Sequence, residues 1–365
     1  MSRTIYVNGK FTRQPTTGVQ RVAEQLVRAI DALTARPAEP RWVLLHPPGG
    51  GLGGLGRIEQ RTIGPAQAPL HAWEQAWLPL AARGGLLLNL SGSAPCFAGR
   101  TAAMLHDAAV FDRPEAYSRP FVAWYRFLFT RLGRRAERLF TVSAFSRARL
   151  AACLDVPEAR FEIVANAPDH LDAVAADDTV LDRHGLRGGR FLLAVASANP
   201  TKNLATLVEA FGRLGRANDL RLVIVGGSNP RVFADGGSAV ADPPGVVRTG
   251  SLRDAPLKSL YRHALALICP STYEGFGLPA LEAMAHGCPV AASTAAALPE
   301  VCGDAALYFD PRSVPDLTAA IERLVTEADL RERLRRAGLA QAARFSWAAS
   351  AERLRSALCD GEVRP

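Results

Sequence analysis

The sequence predicts an α/β protein built from two doubly wound parallel sheets, each in a domain of its own. Short apolar runs alternate with longer segments of helical period along almost the whole chain, and this alternation is typical of βαβ units. A polar, acidic stretch at residues 169–189 divides the runs into two series. Because such folds bind ligands at the carboxyl ends of their strands, we expect the ligand in a crevice between the two domains.

The first series contains six predicted strands and a leading amphipathic helix at residues 18–33. In this helix Val19, Val22, Leu26 and Ile30 share one face. The six strands are predicted at residues 3–9, 41–46, 85–90, 101–107, 138–143 and 161–166.

The second series contains five predicted strands and four helices, followed by a last helix at residues 347–358. The strands are predicted at residues 190–197, 220–227, 245–250, 264–271 and 289–293. The helices are predicted at residues 204–214, 255–264, 279–287 and 314–326.

These patterns predict the domain boundaries. We expect a first domain at residues 1–172, a linker at 173–187 and a second domain at 188–345. Residues 346–365 are expected to carry a helix that packs back across the hinge.

Composition excludes several classes of protein. The chain has 365 residues, 48% of them hydrophobic and 21% charged, which excludes a disordered or fibrous chain. The six cysteines are scattered without a CxxC pair, which argues against a disulfide framework or a zinc site. The sequence has no run of 18 apolar residues, and its start lacks the apolar core of a signal peptide. We therefore expect a cytoplasmic, soluble protein.

Positive charge is concentrated in the first half of the chain. Residues 1–172 carry a net charge of +7 and residues 173–365 carry +1. A basic half favours an anionic surface or substrate. We expect no nucleic-acid partner, because the chain has no helix-turn-helix signature, zinc-finger spacing or RNP motif.

A glycine-rich segment at residues 51–56 matches the GxGxxG pattern. A dinucleotide-binding fingerprint must open a helix, and residues 57–69 have no helical period. We interpret the segment as a loop.

The loop and helix at residues 270–287 have the features of an anion site. Pro279 suits the first turn of a helix, and Gly275 and Gly277 allow a ligand to approach the backbone closely. The backbone amides around Gly277 and the helix dipole favour a diphosphate. Glu274 and Glu282 can accept hydrogen bonds from sugar and ribose hydroxyls.

The segment EGFGLPALE resembles the E-x7-E motif of the retaining glycosyltransferases of family 4, which have the GT-B fold of two Rossmann-like domains. Five further segments resemble that family in the same order along the chain. They are TTGVQRVAEQL, LHDAAVF, TVSAFSRARL, NPTKNLATLVEAF and FSWAASAERL.

The resemblance implies a role for each matching residue. Glu282 would hold the ribose and Glu274 the donor sugar, and Lys202 would neutralise the departing diphosphate. Gly18 would let the first loop approach the diphosphate, and His106 would line the cleft near the sugar. With His106, Lys202 and Glu274 as catalytic residues, the remaining donor contacts would come from Ser197, Gly275, Phe276, Gly277 and Leu278.

The sequence departs from the family pattern at one position. Ser197 stands where members commonly have an arginine, so only Lys202 remains of a cationic pair. Arg248, Arg231 and Arg21 are candidates for compensation.

The resemblance implies a metal-independent, retaining transfer of a hexose to a glycan or lipid-linked acceptor in cell-surface polysaccharide or lipopolysaccharide synthesis. The donor would be a nucleoside-diphosphate sugar, with a GDP-sugar and mannose or a rhamnose-like sugar favoured, and no cofactor is expected. A GT-B-fold epimerase, a phosphorylase and a non-catalytic binding protein remain alternatives.

Residues 124–140 predict a basic amphipathic helix that could lie on an anionic membrane at the inner face of the plasma membrane. A core-facing helix with a solvated arginine face is the alternative. The five arginines are Arg126, Arg131, Arg134, Arg135 and Arg138.

Overall fold

The structure, a computed structural model, describes residues 4–34, 40–214, 220–227 and 242–359. These residues form two compact units, each with one parallel sheet. Unit 1 contains the described residues of Met1–Phe111, Ala123–Asn166 and Trp347–Pro365. Unit 2 contains those of Asp112–Val122 and Ala167–Ser346.

Unit 1 has a seven-stranded sheet in the order β3-β2-β1-β4-β5-β6-β7. Its strands are β1 Thr4–Asn8, β2 Arg41–His46, β3 Glu59–Thr62, β4 Leu86–Asn89, β5 Thr101–Met104, β6 Arg138–Thr141 and β7 Phe161–Ile163. Its helices are α1 Gly18–Leu33, α2 Leu70–Ala81, α3 Ala109–Asp112, α4 Arg119–Arg135 and α5 Ala144–Leu154, with α3 and α4 crossing the unit boundary. The order reverses between β1 and β4, where a doubly wound sheet binds ligands.

Unit 2 has a six-stranded sheet in the order β10-β9-β8-β11-β12-β13. Its strands are β8 Arg190–Val195, β9 Leu220–Val225, β10 Val246–Gly250, β11 Ala266–Cys269, β12 Val290–Ser293 and β13 Ala306–Phe309. Its helices are α6 Thr179–Arg183, α7 Leu204–Arg213, α8 Asp254–His263, α9 Leu278–Ala285, α10 Leu298–Cys302, α11 Val314–Thr326 and α12 Ala328–Ala342. The order reverses between β8 and β11.

The last helix, α13 (Trp347–Cys359), follows unit 2 in sequence but belongs to unit 1, where it packs against α1. Trp347, Ala351, Leu354 and Leu358 are buried on α13. The chain therefore returns to its first unit, as the sequence predicts.

The predicted linker, residues 173–187, is an integral part of unit 2. It contains α6, whose Val180 and Leu181 are buried. The hydroxyl of Ser259 donates to Asp178 Oδ1 at 2.6 Å, which joins this segment to α8. Residues 167–172 also belong to unit 2.

Residues 112–122, predicted within the first domain, pack with unit 2. The hydroxyl of Tyr273 donates to Asp112 Oδ2 at 2.9 Å, and Asn199 Nδ2 donates to the Tyr117 hydroxyl at 3.4 Å. These contacts, between residues far apart in the sequence, place residues 112–122 in unit 2.

Beneath the reversal point of unit 1 lies a buried polar network that the sequence analysis did not detect. Lys10 Nζ is 2.7 Å from Glu74 Oε2, and the two side chains are 2% and 1% exposed. Asn8 and Ser93 both donate to Glu74 Oε1, at 2.9 and 2.7 Å. The network joins the ends of β1 and β4 to α2. Each buried charge in it has a partner, so the network leaves no uncompensated charge in the interior.

Candidate active site

Two loops at the reversal point of the unit 2 sheet carry the predicted donor residues. One follows β8 and the other follows β11, the two strands between which the order reverses. The amide of Thr272 donates to the Thr201 carbonyl at 2.8 Å, and Asn203 Nδ2 donates to the Pro270 carbonyl at 3.1 Å. The turn that carries Lys202 is thereby fastened to the loop that carries Glu274.

Lys202 and Glu274 meet directly. Lys202 Nζ lies 2.6 Å from Glu274 Oε1, and their side chains are 21% and 10% exposed. The hydroxyl of Ser271 donates to the same oxygen at 2.7 Å. The structure thus places a cation and a carboxylate acceptor at one point, partly open to solvent, which suits a ligand with both an anionic and a hydroxyl part.

Helix α9 begins immediately after this pair. Gly277 precedes it with φ of +99°, and a Cβ there would lie 2.6 Å from Leu298 Cδ2, so only glycine fits. Phe276 is buried against Phe345 in an edge-to-face contact at 5.8 Å. In the first turn of α9, Pro279 has no N–H, and the Ala280 amide donates to the Gly277 carbonyl at 3.0 Å. A backbone amide at the start of a helix can bind an anion, and Leu278 holds that position in α9.

Glu282 lies one turn into α9 and is 5% exposed. The hydroxyl of Tyr261 donates to Oε2 at 2.8 Å, and His170 Nε2 lies 3.2 Å from Oε1. Both carboxylate oxygens therefore have a protein partner.

The loop with Ser197 lies against the end of β9. The amide of Ala198 donates to the Gly227 carbonyl at 3.0 Å. At Gly226, with φ of +150°, a Cβ would lie 1.9 Å from the Ala196 carbonyl oxygen, so this close approach requires glycine. Gly275 is partly buried.

Of the three arginines considered as replacements at Ser197, Arg248 already pairs with Asp242, with Nε 2.6 Å from Oδ2. Arg231 lies outside the described residues, and Arg21 is in α1 of unit 1. Within the described part of unit 2, Lys202 is the cation at the motif loop.

In unit 1, the structure brings the start of α1 close to His106. Gly92 lies between them, because a Cβ on this residue would be 3.7 Å from His106 Cδ2 and 3.9 Å from Val19 Cγ1. Gly18 is the first residue of α1, and a Cβ there would meet nothing within 4 Å. The fold therefore leaves open space at Gly18.

The imidazole of His106 lies 2.8 Å through Nε2 from the Leu90 carbonyl oxygen. A carbonyl only accepts, so Nε2 carries the proton and Nδ1 keeps its lone pair. Burial lowers the pKa of His106 to about 4, against a smaller opposing effect of this hydrogen bond. A neutral His106 can therefore accept a hydrogen bond through Nδ1. The adjacent Asp107 accepts from the Ala109 amide at 2.8 Å.

Two features are absent from residues 4–34, 40–214, 220–227 and 242–359. This part of the chain has no group of three or more His, Cys, Asp or Glu side chains placed to hold a metal ion. It also has no helix with the length and apolar character that a membrane span requires.

Comparisons with known proteins identify the family. Residues 180–341 match the model of the family "Glycosyl transferases group 1". O-antigen chain mannosyltransferase B of Escherichia coli is 30% identical over 285 residues, covering 76% of this chain and 75% of that protein. The chain is a group 1 glycosyl transferase. The predicted resemblance to glycosyltransferase family 4 is confirmed, and the activity is glycosyl transfer.

Two further comparisons concern length and fold. Serotype-specific mannosyltransferase WbdA of Escherichia coli is 30% identical over 228 residues, but these cover 60% of this chain and only 28% of that protein. Sucrose-phosphate synthase from Thermosynechococcus elongatus matches with a TM-score of 0.74 over 96% of this chain and 97% of that one, at 19% identity. This likeness confirms the predicted GT-B fold.

The structure of this glycosyl transferase corrects the prediction for residues 124–140. Helix α4 ends at Arg135, and Arg138 begins strand β6. Leu139 and Phe140 are buried in the sheet, so their apolar run belongs to a strand rather than to a helix face. The five arginines therefore do not lie on one helix.

Two of these arginines serve the fold of unit 1. Arg126 Nε donates to the Val110 carbonyl at 2.8 Å. Arg131 donates to the Cys96 carbonyl and lies 4.6 Å from the ring centroid of Phe97. Arg134 and Arg135 are exposed.

Sequence reasoning missed the supporting residues of the glycosyl transferase site, which are Ser271, Asn203, Tyr261 and His170. Ser271 and Asn203 lie beside motif residues and could have been found by proximity. Tyr261 and His170 are 21 and 112 residues from Glu282 along the chain. The local pattern around them gives no signal of this contact.

Proposed function

We propose that this glycosyl transferase moves a hexose, with retention, from a nucleoside-diphosphate sugar to a hydroxyl of a glycan or lipid-linked acceptor. The observation that carries the proposal is the Lys202–Glu274 pair beside the first turn of α9. A diphosphate needs the cation and the helix amides, and a sugar needs the carboxylate.

The residues take the following roles in the proposal. Lys202 and the amides at Gly277 and Leu278 bind the diphosphate, and Glu274 accepts from donor-sugar hydroxyls. Because negative charge grows on the leaving diphosphate in the transition state, a positioned Lys202 lowers the barrier. Glu282 accepts from the ribose hydroxyls.

In unit 1, the proposed sugar contact is Nδ1 of His106, and Gly18 leaves room for the ligand. No protein nucleophile is proposed: the leaving phosphate accepts the acceptor's proton as the new glycosidic bond forms on the same face. The transfer is proposed to need no metal ion, since Lys202 and the α9 amides supply the positive charge.

Mannose, from a GDP-sugar, is the favoured donor group, with a rhamnose-like sugar as the second choice. Both curated relatives described above are named mannosyltransferases, and one acts in an O-antigen chain by its name. Cell-surface polysaccharide or lipopolysaccharide synthesis is the proposed setting.

Peripheral membrane association in the cytoplasm is part of the proposal. In unit 1, Phe97 is 78% and Phe127 is 53% exposed. Arg131 is one helical turn from Phe127 and lies over the Phe97 ring, so these groups share a surface. Exposed aromatic rings next to Arg134 and Arg135 suit an anionic leaflet.

A metal-free thermal-shift experiment tests the donor site. GDP, UDP, dTDP and ADP would each be added to wild type, to Lys202→Ala and to Arg323→Ala, which removes an exposed cation of α11. A ligand at a hundredfold its Kd adds about 2.7 kcal/mol to the free energy of unfolding. We expect one diphosphate to raise the melting temperature of wild type and of Arg323→Ala, and most of the rise to be lost in Lys202→Ala.

The absence of a shift with every diphosphate would contradict the proposal. If one diphosphate stabilises the protein, the sugar derivative of that diphosphate is used as the donor in an activity assay with a chelator present. Release of free sugar without an acceptor would indicate an epimerase, and a requirement for inorganic phosphate would indicate a phosphorylase.

A further inference from the structure

The carboxylate of Glu282 is held by two side chains from other elements. The Tyr261 hydroxyl donates to Oε2 at 2.8 Å, and His170 Nε2 lies 3.2 Å from Oε1. Tyr261 is fully buried and the His170 side chain is 1% exposed. Each oxygen therefore has one fixed neighbour, which restricts rotation of the carboxylate.

The turn that carries His170, at Asp169–Leu171, is itself fastened to α8. Lys258 Nζ donates to the Leu171 carbonyl at 2.8 Å and to the Asp172 carbonyl at 3.1 Å. These two hydrogen bonds fix the turn that places His170 beside Glu282.

The ring of Tyr261 is fixed as well. It stacks on His286, with centroids 6.1 Å apart and planes 20° apart. His286 Nδ1 lies 2.8 Å from the backbone carbonyl oxygen of Glu282. The same residue therefore contacts both Tyr261 and the backbone of Glu282, which sets the hydroxyl against the carboxylate.

An ionised carboxylate has about four lone-pair sites. Tyr261 occupies one site on Oε2 by a hydrogen bond, and His170 Nε2 lies within ion-pair distance of Oε1 without an aligned hydrogen bond, so each oxygen keeps at least one site for a ligand. Two acceptors on neighbouring oxygens match the two adjacent hydroxyls of a ribose, whereas a 2′-deoxyribose would leave one acceptor without a donor.

We propose that Tyr261 and His170 are positioning residues that orient Glu282 to distinguish ribose from 2′-deoxyribose in the nucleoside diphosphate. The inference rests on the proposed function, in which Glu282 receives the ribose. A hydrogen bond to a charged group is strong enough that losing the 2′-hydroxyl weakens binding by about tenfold or more.

The test compares the Kd of GDP with that of 2′-deoxy-GDP, and the Kd of UDP with that of 2′-deoxy-UDP. Wild type, Tyr261→Phe and His170→Gln are measured beside Tyr308→Phe. Tyr308 also loses a hydroxyl, which donates to the Gly303 carbonyl at 2.6 Å elsewhere in unit 2. Melting temperatures establish that each variant is folded, and Tyr261→Phe keeps the stacked ring.

We expect wild type and Tyr308→Phe to prefer the ribonucleotide by about tenfold or more. Tyr261→Phe and His170→Gln should bind the ribonucleotide more weakly while their Kd for the deoxynucleotide is unchanged, so their preference falls. A merely structural role would weaken both ligands equally.

Three outcomes overturn the inference at different points. If wild type binds no nucleoside diphosphate, the proposed function fails and this inference with it. If wild type binds the ribonucleotide and the 2′-deoxynucleotide with equal Kd, the protein binds nucleoside diphosphates but Glu282 does not distinguish the 2′-hydroxyl. If both variants keep the wild-type preference, Glu282 does not depend on Tyr261 and His170.

Discussion

The environment of His106 determines which chemistry this imidazole can perform. Its Nε2 donates to the Leu90 carbonyl, and burial lowers its pKa to about 4. A neutral ring with a lone pair on Nδ1 can accept a hydrogen bond from a hydroxyl, and it has no positive charge with which to pair a diphosphate. The sequence identified the residue, but its protonation state depends on the surrounding fold.

This low pKa predicts a pH dependence of stability. The ordinary histidine pKa is near 6.5 and that of His106 is about 4, so between these pH values the unfolded chain binds a proton that the folded chain excludes. The free energy of unfolding should therefore fall as the pH drops from about 6.5 towards 4, by up to about 1.4 kcal/mol per pH unit from this group. Chemical denaturation of wild type and His106→Gln across this range measures it.

His106→Gln should lose less stability on acidification than wild type, so the difference in free energy of unfolding between the two proteins should change as the pH falls. Parallel curves would show that His106 titrates alike in the folded and unfolded chains.

At the scale of elements, α13 completes the first unit. Trp347, Ala351, Leu354 and Leu358 form its buried face, and Val22, Leu26 and Ile30 are among the buried residues of α1, the helix against which α13 packs. The helical period of residues 347–358 predicts a helix, and the apolar face of α1 predicts a partner for that helix. Neither helical pattern predicts that α1 and α13 pack against each other.

Leu354→Ala should therefore destabilise the protein. This position is not near the proposed donor site in sequence, since it lies 152 residues after Lys202. Leu354 is fully buried, and truncating a buried leucine to alanine costs about 2–5 kcal/mol. Urea denaturation measures the loss, with Leu339→Ala as the matched control, since Leu339 is 39% exposed on α12. Equal effects of the two substitutions would contradict the role of α13 in the core.

At the scale of the whole molecule, charge is distributed unevenly. The net charge is +8, of which +7 lies in residues 1–172. The exposed aromatic rings Phe97 and Phe127 are in the same part of the chain. Charge attracts a protein to an anionic leaflet, and aromatic side chains anchor it at the interface.

Sedimentation with vesicles of phosphatidylglycerol and phosphatidylcholine tests this proposal. We expect wild type to bind anionic vesicles at low salt and to be released as salt screens the charges. The double variant Phe97→Ser and Phe127→Ser should bind more weakly, while Leu339→Ser, an exposed leucine in unit 2, should bind as wild type does. Binding unaffected by the double variant would exclude this surface.

Much of the fold followed from local patterns. The start and end of α1 at Gly18 and Leu33 agree with the predicted bounds, because one apolar stripe runs its whole length. Strand β3 (Glu59–Thr62) was not predicted, since its sequence EQRT is polar and only its place at the sheet edge makes it a strand. Residues 138–140 fit both a helix and a strand pattern. They form a strand because they pair with β5 on one side and β7 on the other.

The α/β class and the motif residues Lys202, Glu274 and Glu282 could be predicted from the sequence, because they depend on local period, spacing and residue chemistry, and the order of the motifs carried the resemblance to the family. The tertiary structure decided which groups meet: Lys202 with Glu274, Glu282 with Tyr261 and His170, and Lys10 with Glu74. Such contacts join strands and helices far apart in the chain. Strand order and side-chain packing bring them together, and neither is a property of a local segment.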